Sequence, residues 1–282
     1  MDKGMAAQKQ KGMLSRLKEI VVHRDSKDKE ATLAQTEEIS SPKGQRMLLE
    51  LEGISVHYGV VVALDNVSLC LDDGEIVAVM GPNGAGKSTV LRAIMGLAPV
   101  LSGTVYWQQK PLKAATHAMV HLGISFVPQG RRVFTHLTIE ENLEMGCLYL
   151  KDDAEKKRRV DAVMELFPIL HEKRRHLASQ MSGGQQQMLA VGRGLMANPE
   201  VLLLDEPTLG LAPIVVKEMF EKIVEINQKL GTSIFVVEHN IKSTLNIVSR
   251  AYVLDKGKLV HDGTPKSVRD SDILTKVFLG KA

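Results

Sequence analysis

A glycine-rich segment at residues 81–89 has the pattern most typical of a chemical site. Glycines let the backbone of such a loop curl until successive N–H groups point inward at phosphate oxygens, and the helix that follows directs its positive end at the same charge. Lys87 would add a positive charge for the β- and γ-phosphates, and the Ser88 hydroxyl suits the oxygen shell of Mg²⁺. A chance glycine-rich turn is the alternative, but the full motif predicts a nucleoside triphosphate site. The segment fits G-x-x-x-x-G-K-[ST] and reads Gly81, Pro82, Asn83, Gly84, Ala85, Gly86, Lys87, Ser88, Thr89.

Two acids follow an apolar run further along the chain. Residues 201–204 are Val-Leu-Leu-Leu, and Asp205 and Glu206 come directly after them. A strand buried on both faces of a parallel sheet has such an unbroken apolar sequence, and its carboxyl end opens onto the ligand crevice. We expect Asp205 to join the water shell of Mg²⁺ and Glu206 to orient the attacking water or accept its proton. A surface pair that caps the next helix is the alternative, which the motif at 81–89 makes less favoured.

The elements that must position these groups alternate between strand and helix. This alternation predicts an α/β fold with a mainly parallel sheet, an N-terminal antiparallel β part and an inserted helical subdomain at about residues 130–198, and the motif at 81–89 makes it one of the P-loop NTPase kind. Short apolar runs bounded by turn residues predict strands, and longer mixed runs predict helices. The predicted strands span residues 48–58, 61–71, 75–80, 104–107, 123–127, 201–204, 233–237 and 251–254, and the predicted helices span 87–97, 138–198, 215–230 and 241–248.

Composition indicates one globular domain behind an N-terminal extension. Hydrophobic residues make up 44% and charged residues 24% of the 282 residues, enough for a sizeable core. No apolar run reaches the roughly 18–20 residues of a membrane-spanning helix, and no signal peptide is evident, so we expect a cytosolic protein. Residues 1–46 carry ten Lys and Arg against seven Asp and Glu, whereas residues 47–282 carry twenty-six of each. A neutral body argues against a nucleic-acid partner.

The extension at residues 1–46 is predicted to be disordered, and residues 47–282 to form the folded domain. The stretch 24–46 is polar and cannot bury enough apolar surface to order itself. Within residues 12–24, apolar side chains recur at helical spacing with basic ones between them. Two interpretations remain open, a basic amphipathic helix that rests on lipid or on a partner, and a transient helix in a flexible tail. Cys70 and Cys147 are expected to be small buried hydrophobes in a reducing compartment.

A third motif identifies a family resemblance. Residues 181–187 read Met-Ser-Gly-Gly-Gln-Gln-Gln just ahead of a predicted helix, and here the chain resembles the ATP-binding-cassette family, with Met181 where Leu is usual. The resemblance covers residues 48–278. It implies that the signature loop closes over the γ-phosphate held by a partner subunit. The residue types suit that role, because Ser caps a helix and glycines expose N–H groups to an anion. The implied signature residues are Ser182, Gly183, Gly184 and Gln185.

Three further positions match the family one by one. Tyr58 resembles the aromatic residue that stacks on adenine, and a core tyrosine at a strand end is the alternative. Gln129 resembles the glutamine that senses Mg²⁺ and the γ-phosphate, and His239 resembles the switch histidine that contacts the γ-phosphate. The resemblance therefore implies Lys87, Glu206 and His239 as catalytic residues. It implies Ser88, Gln129 and Asp205 as the residues around the metal.

A finer resemblance is to the shorter ATPase of branched-chain amino-acid importers. It is carried by Val-Pro-Gln-Gly-Arg-Arg-Val-Phe at 127–134, by 137–143, and by Glu-Pro-Thr-Leu-Gly-Leu-Ala-Pro at 206–213, where Ala212 replaces the Asp found in many other members. It implies ATP and Mg²⁺ as cofactors and a second cassette subunit, hetero- or homodimeric. It also implies permease subunits that contact residues 129–145, and an extracytoplasmic binding protein acting indirectly. The expected location is the cytoplasmic face of the membrane, with the chain peripheral.

Dimer closure, rather than nucleotide affinity, is predicted to gate turnover. One subunit leaves one side of the γ-phosphate open, and losing one preorganised donor typically costs about 3–4 kcal/mol. Importers of urea, amides or another small organic solute are alternatives, and a non-transport cassette is a weaker one. A GTPase would need Asn-Lys-x-Asp, which is absent from the chain, and Glu206 and His239 argue against an inactive binding module.

Overall fold

The computed structural model describes residues 46–279. The predictions for the N-terminal extension, including the amphipathic helix at 12–24, therefore fall almost entirely outside the described residues. The limits proposed for the domain and for the helical subdomain remain predictions. No helix within residues 46–279 is long and apolar enough to cross a membrane.

A four-stranded antiparallel sheet opens the described chain, in the order β2-β1-β4-β5. Strands β1 and β2 form a hairpin in which Tyr58 pairs with Val61. The two-residue turn between them contains Gly59 at φ 61°, in the left-handed region that glycine adopts without strain. The strands are β1 (Met47–Tyr58), β2 (Val61–Asp72), β4 (Val100–Trp107) and β5 (Lys110–Pro111). The predicted antiparallel part is therefore confirmed, and β4 begins earlier than predicted.

A six-stranded mixed sheet forms the centre, in the order β10-β9-β3-β8-β7-β6. Strands β3, β6, β7, β8 and β9 run parallel, and β10 pairs antiparallel with β9 at the edge. Parallel neighbours bring their carboxyl ends to one edge, so residues after β3, β7 and β8 can meet there. The strands are β3 (Ile76–Met80), β6 (Ile124–Val127), β7 (Val201–Asp205), β8 (Ser233–Val237), β9 (Arg250–Asp255) and β10 (Lys258–Gly263).

Successive residues of the central strands belong to two different hydrophobic cores. In β3, Ile76, Ala78 and Met80 pack with the helices that follow β6. The intervening Val77 and Val79 pack with the four-stranded sheet and the first helix. Every residue of β3, β7 and β8 is buried. The sequence prediction of a parallel sheet covered on both faces is confirmed.

Nine α-helices surround the sheets within residues 46–279. Helices α2 to α5 lie between β6 and β7, as expected of an inserted helical layer. The helices are α1 (Lys87–Ile94), α2 (Ile139–Glu144), α3 (Asp153–Leu166), α4 (Pro168–Glu172), α5 (Gly183–Leu195), α6 (Pro213–Leu230), α7 (Ile241–Thr244), α8 (Pro265–Asp270) and α9 (Ile273–Leu279), with 3-10 turns at Thr116–Leu122, Met145–Cys147 and Ala178–Gln180.

Residues 138–198, which were predicted to be helical throughout, form a helical layer that turns interrupt. The segment is several short helices with separate caps, because Thr138 and Asp152 both accept hydrogen bonds from helix N–H groups and Pro168 starts a new helix. Thr138 and Leu177 each precede a helical segment, have extended backbone and pair in an isolated antiparallel bridge.

Three smaller predictions fail. Helix α7 ends at Thr244 rather than at residue 248. Arg269 Nη2 donates a hydrogen bond to the Leu245 carbonyl at 2.9 Å, and the chain then turns toward β9. Strand β10 was not predicted, because only alternate residues of it are half-buried. Cys147 is buried as expected, but Cys70 is only half-buried and accepts a hydrogen bond from Arg250 Nη1 at 3.0 Å.

Candidate functional site

The glycine-rich loop connects β3 to α1 at the carboxyl edge of the central sheet. Gly84 lies at φ 80° and Gly86 at φ 100°, both in the left-handed region. A Cβ atom on Gly86 would lie 2.4 Å from the Ala63 carbonyl oxygen, so any larger residue would displace strand β2. A Cβ on Gly81 would likewise lie 2.2 Å from the Leu254 oxygen. Both of these closely packed glycines therefore hold the loop against neighbouring strands while Gly84 supplies a left-handed turn.

The other predicted residues of the loop divide between its surface and its base. Asn83 and Gly84 are exposed and Pro82 is half-buried, whereas Ala85 and Thr89 are buried. The exposed rim thus presents backbone to a ligand, and the buried side chains fix the loop to the core.

Lys87 is buried at the start of α1, and its Nζ donates to the Pro82 carbonyl at 3.0 Å. Burial lowers the pKa of this amine, while Glu206, Asp205 and Glu238 act in the opposite direction. The ammonium is thus folded back across its own loop, with the acids of the neighbouring strands close enough to stabilise its charge.

Ser88 and Asp205 meet across the first turn of α1 and the end of β7. Ser88 Oγ donates to Asp205 Oδ1 at 2.8 Å. Burial raises the pKa of the Asp205 carboxyl, and the bond from Ser88 partly opposes that effect. A hydroxyl and a carboxylate held together in this way are hard oxygen donors of the type that magnesium binds beside phosphates.

The two carboxylate oxygens of Glu206 each contact a side-chain nitrogen from another loop. Its Oε1 lies 2.5 Å from His239 Nε2, and its Oε2 accepts a hydrogen bond from Gln129 Nε2 at 2.6 Å. Glu206 itself has φ 49°, a strained value for a non-glycine residue, and its N–H donates to the Val237 carbonyl at 2.9 Å. Strain of this kind concentrates where a side chain must point at a reacting group.

Tyr58 lies at the end of β1, 40% exposed, on the hairpin whose second strand packs against Gly86. A tyrosine of the core, the alternative considered from the sequence, would be buried. The exposed ring is therefore free to stack on a base beside the glycine-rich loop.

The signature segment starts helix α5. Ser182 caps the helix by accepting from Gln185 N, and its own N–H donates to Gln185 Oε1, which forms a capping box. A Cβ on Gly184 would lie 2.5 Å from Val215 Cγ1, and one on Gly183 would lie 2.7 Å from Arg131 Nη2. Close packing against α6 is a reason for Gly184 that the sequence did not reveal, whereas the Arg131 guanidinium beside Gly183 could move aside.

The structure thus brings together most of the predicted site residues and leaves one group apart. Lys87, Ser88, Asp205, Glu206 and His239 converge at one edge of the sheet, joined there by Gln129. Within residues 46–279 no hydrogen bond joins the signature segment to the glycine-rich loop. The sequence did not single out Glu238 and Thr208, which are hydrogen-bonded to each other beside this edge. Glu238 could have been found, because it is an acid directly after an apolar strand.

Comparison with known proteins identifies the family. The family model described as ABC transporter matches residues 64–209. BraG of Pseudomonas aeruginosa, a high-affinity branched-chain amino acid transport ATP-binding protein, is 42% identical over 83% of this chain and 100% of its own. The chain belongs to the ABC transporter family. It is an ABC ATPase, and the predicted family and P-loop α/β fold are confirmed.

Other ABC transporter relatives differ in what their names say they transport. LivF of Archaeoglobus fulgidus, a probable branched-chain amino acid transport ATP-binding protein, is 36% identical over 83% of this chain and 99% of its own. LptB of Escherichia coli, the ATP-binding protein of lipopolysaccharide export, is 33% identical over 77% of this chain and 91% of its own.

Solved ABC cassettes share the fold. A nucleotide-free ATP-binding cassette superposes with a TM-score of 0.76 at 27% identity, over 83% of this chain and 100% of the other. The dimeric cassette MJ0796 bound to ADP and phosphate superposes with a TM-score of 0.69 at 27% identity, over 77% of this chain and 99% of the other.

Proposed function

We propose that the chain is the ATP-hydrolysing subunit of an importer for branched-chain amino acids. One observation carries the hydrolytic part: Glu206 is fixed by His239 and Gln129 at the same sheet edge as the glycine-rich loop. The substrate class rests on the 42% identity to BraG over the full length of that relative.

ATP would sit with its phosphates on the N–H groups of residues 81–89 and its base on Tyr58. Lys87 Nζ donates to the Pro82 carbonyl in this structure and would turn toward the β- and γ-phosphates when ATP binds. The ammonium has three N–H donors, and phosphate oxygens accept hydrogen bonds as the carbonyl does. His239 Nε2, which lies 2.5 Å from Glu206 Oε1, would share its one N–H between that oxygen and the γ-phosphate at the end of β8.

Mg²⁺ fits beside Ser88 and Asp205. The two oxygens lie 2.8 Å apart, close enough to belong to one coordination shell, and the Gln129 side chain approaches from the opposite loop. Ser88 and Asp205 would hold the ion, which when bound would offset the negative charge of the phosphates. This set holds one carboxylate, which suits magnesium because it retains waters and phosphates as its other ligands.

Glu206 would act on the attacking water as general base. Its carboxylate would accept the proton of that water as the oxygen approaches the γ-phosphorus, and His239 and Gln129 would keep both oxygens oriented. A positioned base contributes about 10²–10⁴-fold to a rate.

Hydrolysis would require a second cassette. Ser182 and the N–H groups of Gly183 and Gly184 would close over the γ-phosphate held by the partner subunit, because in their own chain they lie away from the glycine-rich loop. The existence of a dimeric ADP-bound relative supports this arrangement. The test is dilution: specific ATPase activity should fall as the concentration drops below the dimer dissociation constant. A rate per chain independent of concentration in a monodisperse monomer would contradict it.

A groove of about 640 Å³ between β6 and α5 suits a permease segment. Pro128, Phe134 and Met145 line it from the region after Gln129. Arg193 also lines it; its Nη1 is buried and, within residues 46–279, has no hydrogen-bond partner, while its guanidinium lies 5.0 Å from the Phe134 ring. Arg193 Nη2 donates to the Arg132 carbonyl at 2.5 Å, so the guanidinium is only partly satisfied, and its free N–H favours a partner helix that presents a carboxylate or its C-terminal carbonyls. The chain would then lie peripherally on the cytoplasmic face, and reach the extracytoplasmic binding protein only through the permease.

The substrate is tested by uptake. In cells that carry the gene, its deletion should abolish high-affinity uptake of labelled leucine and valine but spare urea and short amides. Restoration by the intact gene, but not by a K87A copy, ties the loss to nucleotide binding. Loss of urea or amide uptake alone would favour the alternative importer, and loss of neither would favour a non-transport cassette.

A further inference from the structure

Glu238 is a buried carboxylate that the proposed mechanism does not use. It follows β8 directly, precedes His239 and is 2% exposed. Its Oε1 accepts from the Thr208 N–H at 2.9 Å and from Thr208 Oγ at 2.7 Å. Its Oε2 accepts from the His239 N–H at 3.0 Å.

A carboxylate in this position is costly to keep. Burial raises the pKa of the Glu238 carboxyl, and bonds from Thr208, His239 and Asn240 oppose that effect. Among residues 46–279, no Lys or Arg forms an ion pair with it. The hydrogen bonds to this carboxylate all come from neutral donors, and Lys87 acts on it without forming an ion pair; a buried charge of this kind stabilises a fold less than an apolar side chain of the same volume would. Its presence therefore calls for a role other than stability.

The three hydrogen bonds join the two loops that carry the reacting groups. Thr208 lies two residues after Glu206, and His239 lies one residue after Glu238. Between these fixed points, His239 Nε2 lies 2.5 Å from Glu206 Oε1. The Glu238 carboxylate thus sets the distance between the loop after β7 and the loop after β8, whose side chains Glu206 and His239 must meet.

We infer that Glu238 is a positioning residue for ATP hydrolysis: by binding Thr208 and the His239 N–H together, it holds the His239 imidazole against Glu206. This inference rests on the proposed function, because it assigns Glu238 a purpose only if Glu206 and His239 act on the γ-phosphate. Glu238 touches neither nucleotide nor water in this arrangement.

The first test is E238Q in the full chain with MgATP. The amide has nearly the same shape, but whichever way it sits, its NH2 group faces a backbone N–H of Thr208 or His239. A misplacement of about 1 Å can cost as much as 10²-fold, so we expect kcat to fall by about 10- to 100-fold. KM for ATP and nucleotide affinity should change by less than about twofold, since residues 81–89 are untouched. An unchanged kcat would overturn the inference.

A double-mutant cycle separates positioning from general damage. If Glu238 acts through His239, E238Q should lower single-turnover hydrolysis by no more than about twofold further in an H239A background. An equal loss in both backgrounds would overturn the inference. T208V removes the hydroxyl donor but keeps the N–H. It should give a smaller loss with the same dependence on His239, and it replaces E238Q if that variant does not fold.

A spectroscopic measurement covers the case in which H239A is too slow to assay. The imidazole resonance of His239, assigned by its loss in H239A, should shift in E238Q toward its position in E206Q. A resonance that stays at the wild-type position would overturn the inference.

The two proposals can fail separately. If H239A hydrolyses ATP at the wild-type rate, the proposed catalytic site fails. If H239A is impaired while E238Q is not, or while its loss is fully additive, only the role of Glu238 fails.

Discussion

His239 Nε2 lies 2.5 Å from Glu206 Oε1, and the two residues follow the parallel neighbours β7 and β8, between which the chain forms helix α6. Strand β7 delivers the carboxylate and strand β8 the imidazole, so the contact depends on the register that pairs Asp205 with Val237.

Glu206→Gln should abolish turnover and keep nucleotide binding. Gln cannot accept the proton of the attacking water, so phosphate release should fall by about 10²–10⁴-fold. ATP should then hold the cassette in its closed pair, visible as a larger species by size exclusion. E221Q, on the exposed face of α6, is the matched control and should behave as wild type. Rapid phosphate release by E206Q would remove Glu206 as the base.

Asp205→Asn should stabilise the nucleotide-free protein while abolishing hydrolysis. Burial raises the folded-state pKa of Asp205 above the ordinary value of 3.8. Ionisation therefore destabilises the native state at any pH above the folded-state pKa, and the effect disappears below about 3.8, where both states are protonated. We expect D205N to raise Tm at pH 7.5 and to lose this advantage as the pH falls; each kcal/mol is worth about 2–4 °C in a domain of this size.

The control for D205N is D153N, because the Asp153 side chain is 91% exposed. Its Tm should match wild type at each pH. A Tm for D205N below that of wild type at pH 7.5 would contradict the assigned cost of the buried carboxylate.

Gly184→Ala should lower both thermal stability and ATPase activity. Adding V215A to G184A should restore the stability but not the activity. The added Cβ would lie 2.5 Å from Val215 Cγ1. Removing the valine methyls relieves that contact, so the double variant G184A/V215A should unfold near the temperature of V215A alone. ATPase activity should stay low, since a methyl group at the start of α5 blocks the approach of the partner's phosphate. Full recovery of activity would mean that Gly184 serves packing only.

Tyr58→Ala should weaken ATP binding, and Tyr58→Phe should not. Aromatic stacking contributes about 0.5–1.5 kcal/mol, or roughly 2- to 13-fold in affinity. Titration with a fluorescent ATP analogue measures it directly. V60A, at a hairpin position that is 99% exposed, controls for changes in the turn. Equal affinity in wild type and Y58A would place the base elsewhere.

The sequence could place the proposed site residues at strand ends and loops, because the motifs at 81–89 and 201–206 and the family resemblance mark those positions. An apolar run before Asp205 and Glu206 was enough to place both acids at the sheet edge. The bond between Glu238 and Thr208 could not be predicted in this way, because the two residues are thirty positions apart and meet only through the pairing of β7 with β8.

Local signals also failed where tertiary contacts decide the backbone. Residues 245–248 have helical character, but Arg269 binds the Leu245 carbonyl and the helix ends earlier. The glycines at 183 and 184 were correctly placed at a helix start. Their packing against Arg131 and Val215 required knowledge of which helix lies alongside.

Burial of β7 and β8 on both faces would give the two halves of the proposed composite nucleotide site unequal rigidity. Amide protons in those strands should exchange with solvent only on global unfolding, whereas the first turn of α5, secured by the exposed Ser182 and its capping box, can open locally. In the proposed dimer, each protomer would contribute an inflexible hydrolytic centre and a compliant surface that meets its partner's nucleotide. Adaptation to different partner cassettes can then take place at the compliant surface, without any adjustment of the groups that break the phosphate bond.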